Sequence, residues 1–388
     1  MAATALKTDG ILPVRPSMDG WANPLALHLR TPAELATADN IARWDALARC
    51  AAEPNPFLES WYALPAQRAL DPDGELAWLV LEGDGIMAGI IPLLRQARYY
   101  RYPAPNLTNW VHGNCFVGSP LVAAGCERHF WRALLDWCDR HAGRGLFLHL
   151  THMPLDGPLH SALLAVCAEQ RRTAQPVHHE ERAMLASPLT PEQYWQAALN
   201  GKRRKELRRQ ASRLAEAGDV RYEREDGCTN VEQWGREFLA LELSGWKGRE
   251  GSALAGEEAT TSLFLHALQG AAQRGRLERL SLRLDGRPVA MLASFICPPG
   301  CFSFKTAYDE RYARFSPGVL LQQYNLQLLE RGEIAWCDSC ASANHPMIDR
   351  LWMERRPIGR INVAIGGALR RRIFRVMARA ETRKGKWK

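Results

Sequence analysis

The chain reads as an α/β (α+β) protein of two tandem domains, each a mixed, mainly antiparallel sheet flanked by helices. Three observations predict this. Its 388 residues exceed one ordinary domain and suit two. Two apolar hairpins each turn on Asp-Gly, in ELAWLVLEGDGIMAGIIPLL (75–94) and RLERLSLRLDGRPVAMLASFI (276–296); Asp-Gly supplies the positive φ angles that a tight hairpin needs. The turns Asp84-Gly85 and Asp285-Gly286 lie 201 residues apart, and each hairpin is followed by an irregular aromatic stretch, a helix, a short strand and another helix. An internal duplication at about half the chain length is the simplest account of that order.

Element by element, residues 1–20 are expected to form a flexible arm, since MAATALKTDGILPVRPSMDG lacks the continuous apolar run of a signal peptide. Residues 21–185 make the first domain. Helical periodicity over 32–50 and 57–70 flanks the turn-rich AAEPNP, and the first hairpin follows. Residues 99–120 are aromatic and punctuated by Pro and Gly; a helix over 126–141, the strand LFLHL (146–150) and a helix over 157–171 come next. Residues 186–368 make the second domain. Thr190 before Pro191 caps a helix, and the basic helix 201–217 ends at Gly218. After the second hairpin, FSFKTAYD alternates as a strand, and Ser316-Pro317-Gly318 opens an amphipathic helix through Leu329. A strand over 334–338 and a helix over 346–355 complete the domain, and residues 369–388 form a basic tail.

Composition narrows the function classes. With 46% hydrophobic and 24% charged residues the chain is globular, not disordered. No apolar run reaches the roughly 18 residues that span a bilayer, so the expected location is cytoplasmic. Ten scattered cysteines then read as reduced, mostly buried thiols. The net charge of +8 is local: Leu369–Lys388 carries nine Lys/Arg against one Glu, and Lys202–Arg213 (KRRKELRRQASR) seven against one. The plain reading is solvated helix faces. The sharper one is two basic surfaces for anionic lipid, RNA or cofactor phosphates. In LRRRIFRVMARAETRK, Ile373, Phe374, Val376 and Met377 alternate with arginines, as in a helix lying on the inner face of a membrane.

Segment 301–332 is the most informative. Serine is a good N-cap, proline at the first helical position loses no useful donor, and Gly318 lets backbone approach a ligand closely. A helix start preceded by Arg311 and Arg314 is a ready anion site. The order strand, Asp-Gly turn, strand, strand, phosphate-type loop, helix, strand, helix resembles the GNAT acyltransferase core. ELSGWKGREGSA (242–253), FKTAYDERYARFSPGVLL (304–321) and the segment Asp338–Trp352 resemble its FemAB/CelD-like branch, often built of two tandem GNAT-like domains. The resemblance is good over 190–358 and weaker over 20–185, where NWVHGNCFVGSPLV (109–122) matches best. It departs at one point: Arg314-Phe-Ser-Pro-Gly318 stands where typical members carry the glycine-rich Q/R-x-x-G-x-G/A loop.

The resemblance implies no permanently bound cofactor and acyl-CoA as co-substrate. The pyrophosphate would lie at Ser316–Gly318 with Arg314 close by, and the thioester between splayed strands ending near Tyr308 and Asp338. Some relatives use aminoacyl-tRNA instead. Amide formation needs a base for the amine, a donor for the carbonyl oxygen and an acid for the departing thiolate. His345 is the candidate base, or a helix cap before Pro346. Asp338 orients His345, binds the substrate ammonium, or caps the next helix. Tyr308 is the candidate acid, or a half-buried aromatic. Lys305 and Tyr308, three apart on a strand, should point to opposite faces, so at most one should face the acyl pocket; a lysine in an apolar strand needs an anionic partner. Glu242, Trp246 and Lys247 flank the acceptor amine, or form a helix end stopped by Gly245.

Cys337-x-x-Cys340 and Cys297-x3-Cys301 raise a zinc or redox alternative. Pro-Pro-Gly between the latter two reads as a hairpin turn, and the resemblance to the GNAT core implies that Cys297 and Cys301 sit at the far end of that hairpin from Asp338; no metal is expected. The function expected is N-acylation of a lipid, sphingoid-base-like, or a cell-envelope saccharide precursor. Alternatives are an aminoacyl-tRNA-dependent transferase or RNA binder, and a non-catalytic partner in envelope assembly. Nucleic acid other than tRNA is not expected.

Overall fold

The computed structural model describes residues 25–383; the proposed arm 1–20 lies outside them. Thirteen strands form one sheet: β1 (Ala26–Arg30), β2 (Ala77–Gly83), β3 (Ile86–Gln96), β4 (Asn106–Asn109), β5 (Leu121–Val122), β6 (Phe147–Pro154), β7 (Ala174–Leu185), β8 (Val220–Glu225), β9 (Leu277–Leu284), β10 (Arg287–Cys297), β11 (Gly300–Tyr308), β12 (Trp336–Asp338) and β13 (Glu354–Ala364). Their spatial order is β1-β2-β3-β4-β6-β13-β7-β12-β11-β10-β9-β8, with β5 paired to β3. The pairs β4–β6 and β11–β12 are parallel; the other pairings are antiparallel.

The duplication is visible residue by residue. Asp84 and Asp285 both take φ 48°, and Gly85 and Gly286 both take φ 76°. Each turn leads into a strand with one extra residue, Ala88 between Met87 and Gly89 and Val289 between Pro288 and Ala290. These bulges keep the 201-residue offset of the turns. The sheet order also reads the same from either edge once β1–β4, β6 and β7 are matched to β8–β11, β12 and β13.

That matching exposes a strand exchange. β13 lies between β6 and β7, and β7 lies between β13 and β12. Each half therefore completes its sheet with the last strand of the other. The expected helix over 346–355 is not formed: Ile348–Arg350 is one 3-10 turn, and β13 begins at Glu354. At its C-terminal end, pairing with β7 through Glu354↔Met184 and Arg355↔Ala183 takes the backbone into the sheet instead.

A buried ion cluster sits in the exchanged region. Asp338 on β12 accepts from Arg356 Nη1 at 2.9 Å and from the Cys340 N–H at 2.8 Å. Arg182 Nη1 lies 3.4 Å from the same carboxylate and donates to the Phe116 carbonyl at 2.9 Å. Arg182 and Arg356 are register partners across β7 and β13. Burial pushes the Asp338 carboxyl up, but the two guanidiniums overcome this and hold it below the usual carboxylate range.

Helices cover both faces. Between the halves, Phe57, Trp61 and Tyr62 pack with Phe238, Phe264, Phe295, Phe302 and Phe304 in one aromatic core. Helices Ser60–Leu70 and Glu258–Gln273 approach so closely there that a Cβ on Gly270 would meet Trp61 Cβ at 2.8 Å.

Candidate active site

β11 and β12 stay parallel for three residue pairs, ending at Phe302↔Asp338; β11 then runs on alone to Tyr308. On its other edge, Ala293 faces Lys305 while Ser294 faces Ser303, so Phe304 is an extra residue that bends β11 away. The gap opens into a cavity of ≈ 580 Å³. β11 lines it with Ser303–Thr306 and Tyr308, the helix Pro317–Asn325 with its first turn, and the segment after β12 with Cys340, His345 and Met347. Trp246 and Lys247, together with Phe116 from the first half, complete the wall.

Residues 201–345 match the acetyltransferase (GNAT) domain family. The fold of FemX is similar, with a TM-score of 0.55 at 10% identity over 91% of this chain and 99% of that one. The chain has the GNAT-superfamily fold in its FemAB-like, two-domain form. A conserved protein of unknown function from Bacteroides thetaiotaomicron VPI-5482 is also similar (TM-score 0.54, 11% identity, 84% of this chain and 97% of that one). So is a C-terminal domain (DUF2156) described as part of a lysylphosphatidylglycerol synthetase from Agrobacterium fabrum (TM-score 0.51, 13% identity, 88% and 95%). No curated protein sequence matches the chain.

At the start of the helix Pro317–Asn325, Ser316 takes a left-handed conformation (φ 52°) and its side chain caps nothing. Pro317 has no N–H, and the Val319 and Leu320 amides donate to the Ser316 carbonyl. The Gly318 N–H, at the cavity wall, has no backbone acceptor among the described residues. A Cβ at Gly318 would come within 3.3 Å of Met347 Sδ. Arg314 is not part of this wall. The 3-10 turn Glu310–Phe315 directs it outward, with its guanidinium 4.7 Å from the Phe315 ring, into a separate hollow shared with Glu206, Gln210 and Arg213. Arg311 is spent on Asp309 at 2.6 Å.

Both Lys305 and Tyr308 line the cavity, against the expectation that at most one would. They do point to opposite faces, but the cavity passes through the gap in the sheet and meets both. Tyr308 packs on the Leu320–Leu321 side. Lys305 Nζ lies 5.2 Å from the Phe116 ring and 5.6 Å from the Phe304 ring, and the expected protein carboxylate is not bonded to it. Burial, helped by the nearby Lys247 charge, lowers its pKa to about 8. Lys247 is compensated: its Nζ donates to Glu242 Oε1 at 2.6 Å. Glu242 is buried behind it, accepts from the Leu254 N–H at 2.9 Å and does not reach the cavity. Trp246 stands half-exposed at the mouth.

His345 lines the cavity, but Asp338 does not orient it. The Asp338 carboxylate is fully buried and committed to Arg356, Arg182 and the Cys340 amide. His345 Nδ1 instead accepts from the Met347 and Ile348 amides at 3.3 and 3.4 Å. An amide can only donate, so in the neutral ring the proton sits on Nε2, and the free nitrogen is a donor. Burial also holds the imidazolium pKa below the usual 6.5.

The cysteines are placed differently from the sequence expectation. Cys301 stands opposite Cys337 in the parallel register, not at the far end of the hairpin, because β12 starts level with the β10–β11 turn. Burial pushes the thiols of Cys297, Cys337 and Cys340 well above their ordinary pKa. Among the described residues no three His, Cys, Asp or Glu side chains gather as metal ligands, and no helix is long and apolar enough to cross a membrane.

Sequence reasoning missed Phe116, Cys340 and Met347 in the wall, and Arg182 and Arg356 around Asp338. The arginines had no usable signal, since each lies in a stretch that reads as a polar connector. Phe116 had none either, because its role depends on contact between the halves.

Proposed function

We propose that the chain is an N-acyltransferase that moves an acyl group from acyl-CoA to the primary amine of a lipid, sphingoid-base-like, or of a cell-envelope saccharide precursor. The observation that carries this reading is one cavity with a different chemical group at each side of the sheet gap. Among the described residues, a helix start whose Gly318 amide has no backbone acceptor lies on one side, and a lysine in no ion pair lies on the other. The helix start suits the donor pyrophosphate through its amide and dipole. The thioester would then lie along β11 beyond Phe302, where that edge has no β12 partner, with its backbone N–H groups facing the carbonyl oxygen.

In this scheme the acceptor amine attacks the thioester carbon and forms the new C–N bond. Lys305, in its neutral form, takes the proton that the nitrogen loses, and its pKa of about 8 suits that task. The tetrahedral intermediate breaks its C–S bond, and Tyr308 protonates the departing thiolate. His345 donates through Nε2–H and is not the base. Phe116 and Trp246 give the acceptor side an aromatic wall suited to an amphiphilic substrate.

The test is release of free CoA thiol from acyl-CoAs of graded chain length, with sphingoid bases, amino sugars and amino-acid amines as acceptors. An amide product whose formation falls with Lys305→Met and Tyr308→Phe is expected. No amine-dependent thiol release across the panel would overturn the reading.

A second reading, an aminoacyl-tRNA donor, draws on one observation. The helix Gly201–Glu216 exposes Lys202, Arg203, Lys205, Arg208 and Arg209, and its Arg213 shares the outer hollow with Arg314. Binding there would fall steeply with salt. A gel shift without tRNA retention at low salt removes it.

A further inference from the structure

The helix Ala368–Arg383 has two unlike faces. Phe374, 2% exposed, and Ala378 pack against Tyr99, Ala104, Phe147 and Ala364. On the same side Arg370 donates to the Gly143 and Gly145 carbonyls, and Arg371 pairs with Asp139 at 2.7 Å. This face fixes the helix to the first half of the molecule. Phe374 belongs to that inner face, so only part of the apolar set in the basic tail is available outside.

On the other face, Leu369, Ile373 and Val376 are 74%, 44% and 64% exposed. Their i, i+4, i+7 spacing puts them on one stripe. Arg372 and Arg375 are exposed beside the stripe and bond to no group among the described residues. No acidic residue occurs between Ala368 and Ala380. Next to the docked face, Tyr99 is buried while its neighbour Tyr100 is 57% exposed, its hydroxyl accepting from Arg360 Nη1 at 2.7 Å. A tyrosine with an exposed ring is at home at the level of lipid headgroups.

We propose that Leu369, Ile373 and Val376, with Arg372 and Arg375, dock the protein on an anionic bilayer surface, the helix lying in the interfacial plane. Charge complementarity selects this occupant. Unpaired guanidiniums bind headgroup phosphates bidentately, and the apolar side chains between them enter the acyl boundary. Because the three apolar side chains protrude as a ridge, a deformable fluid surface fits them without a matching groove. The proposal does not rest on acyl transfer.

The test uses the full purified chain in vesicle flotation, with phosphatidylcholine alone or mixed with phosphatidylglycerol. Flotation with the anionic vesicles at low salt is expected, weakening as salt screens the surface. Arg372→Gln/Arg375→Gln should lower partitioning about 30-fold, the equivalent of about 1 kcal/mol per basic residue at an anionic surface. Leu369→Ser/Ile373→Ser/Val376→Ser should abolish it. Both variants should melt like the parent chain, since the changed side chains are exposed, and Lys305→Met should float normally. Equal binding to neutral vesicles, no flotation, or variants that bind unchanged would overturn the proposal. So would a dimer lost in the triple-serine variant, or RNA retention lost in the arginine variant without vesicle binding.

Discussion

In the first half of the molecule β4 and β6 are parallel through Leu107↔Leu148 and Thr108↔His149, and then they part, as β11 and β12 do in the second. There the Asn109 side chain bridges the gap: its Nδ2 donates to the Gly118 and Thr151 carbonyls, and its Oδ1 accepts from the Thr151 N–H at 2.8 Å. Residues 110–119 then fold into the space: the Gly118 N–H donates to the His152 carbonyl at 2.9 Å, and a Cβ on Gly118 would collide with the Thr151 carbonyl oxygen. At the equivalent place the second half keeps its ≈ 580 Å³ cavity. The plug of the first half is not idle, because its Phe116 forms part of the other half's wall, and burial with the nearby Lys305 charge drives the His112 pKa down to about 3. Two copies of one plan thus divide the work. One gap is sealed and supports, and the other is open and holds the candidate chemistry.

The largest effect expected from this division is at Lys305. Lys305→Met should lower kcat/KM for amine acylation by about 10²–10⁴-fold, the usual contribution of a positioned base. A base works only when deprotonated, so in the parent chain kcat/KM should rise with pH and level off above about 8. A pH–rate profile in which the variant keeps that inflection would return Lys305 to a passive wall residue. Next is the seam between the halves. Asp338→Ala leaves Arg356 buried without its carboxylate and Arg182 with only Glu180 at 3.9 Å, which should cost about 3–5 kcal/mol in urea denaturation. A variant as stable as the parent would mean that the seam is held by strand pairing alone.

On the sealed side, Asn109→Ala removes the bridge and strands the Thr151 N–H, which should cost about 1–3 kcal/mol in the same assay. Acceptor KM should stay within about two-fold if the first gap is purely structural, as an effect near 0.4 kcal/mol would imply. The smallest change is at the shared residue. Phe116→Ala should raise acceptor KM by about ten-fold or less, the size of one lost aromatic contact, with kcat little altered in steady-state kinetics.

What the sequence discloses follows from range. The hairpins at Asp84-Gly85 and Asp285-Gly286, and the start of the helix at Pro317, depend on neighbouring residues alone and are legible. β7 and β13 are not: HHEERAML and ERRPIGRI look like polar connectors, and only each other's edges make them central strands. The assignment of Asp338 to His345 fails for the same reason. Seven positions of chain separate them, but the carboxylate answers to Arg182, 156 residues away, and to Arg356. Lys305, Tyr308 and Gly318 do meet at one cavity because β11 and the helix after it bring them there directly; Trp246 and Lys247, on the short helix Trp246–Arg249, and His345, after β12, join them from elsewhere in the chain.

The exchange of β7 and β13 also bears on how the chain is made. During synthesis the first half would emerge with β6 and β7 unable to close, since the strand that belongs between them ends only at Ala364. Two unpaired edges at the middle of the sheet would wait from Leu185 until Ala364 has been made, and such edges invite pairing with foreign strands. A fragment cut near residue 185 would separate each half from its completing strand. The smallest unit that folds cleanly is then the pair of halves together, late and all at once.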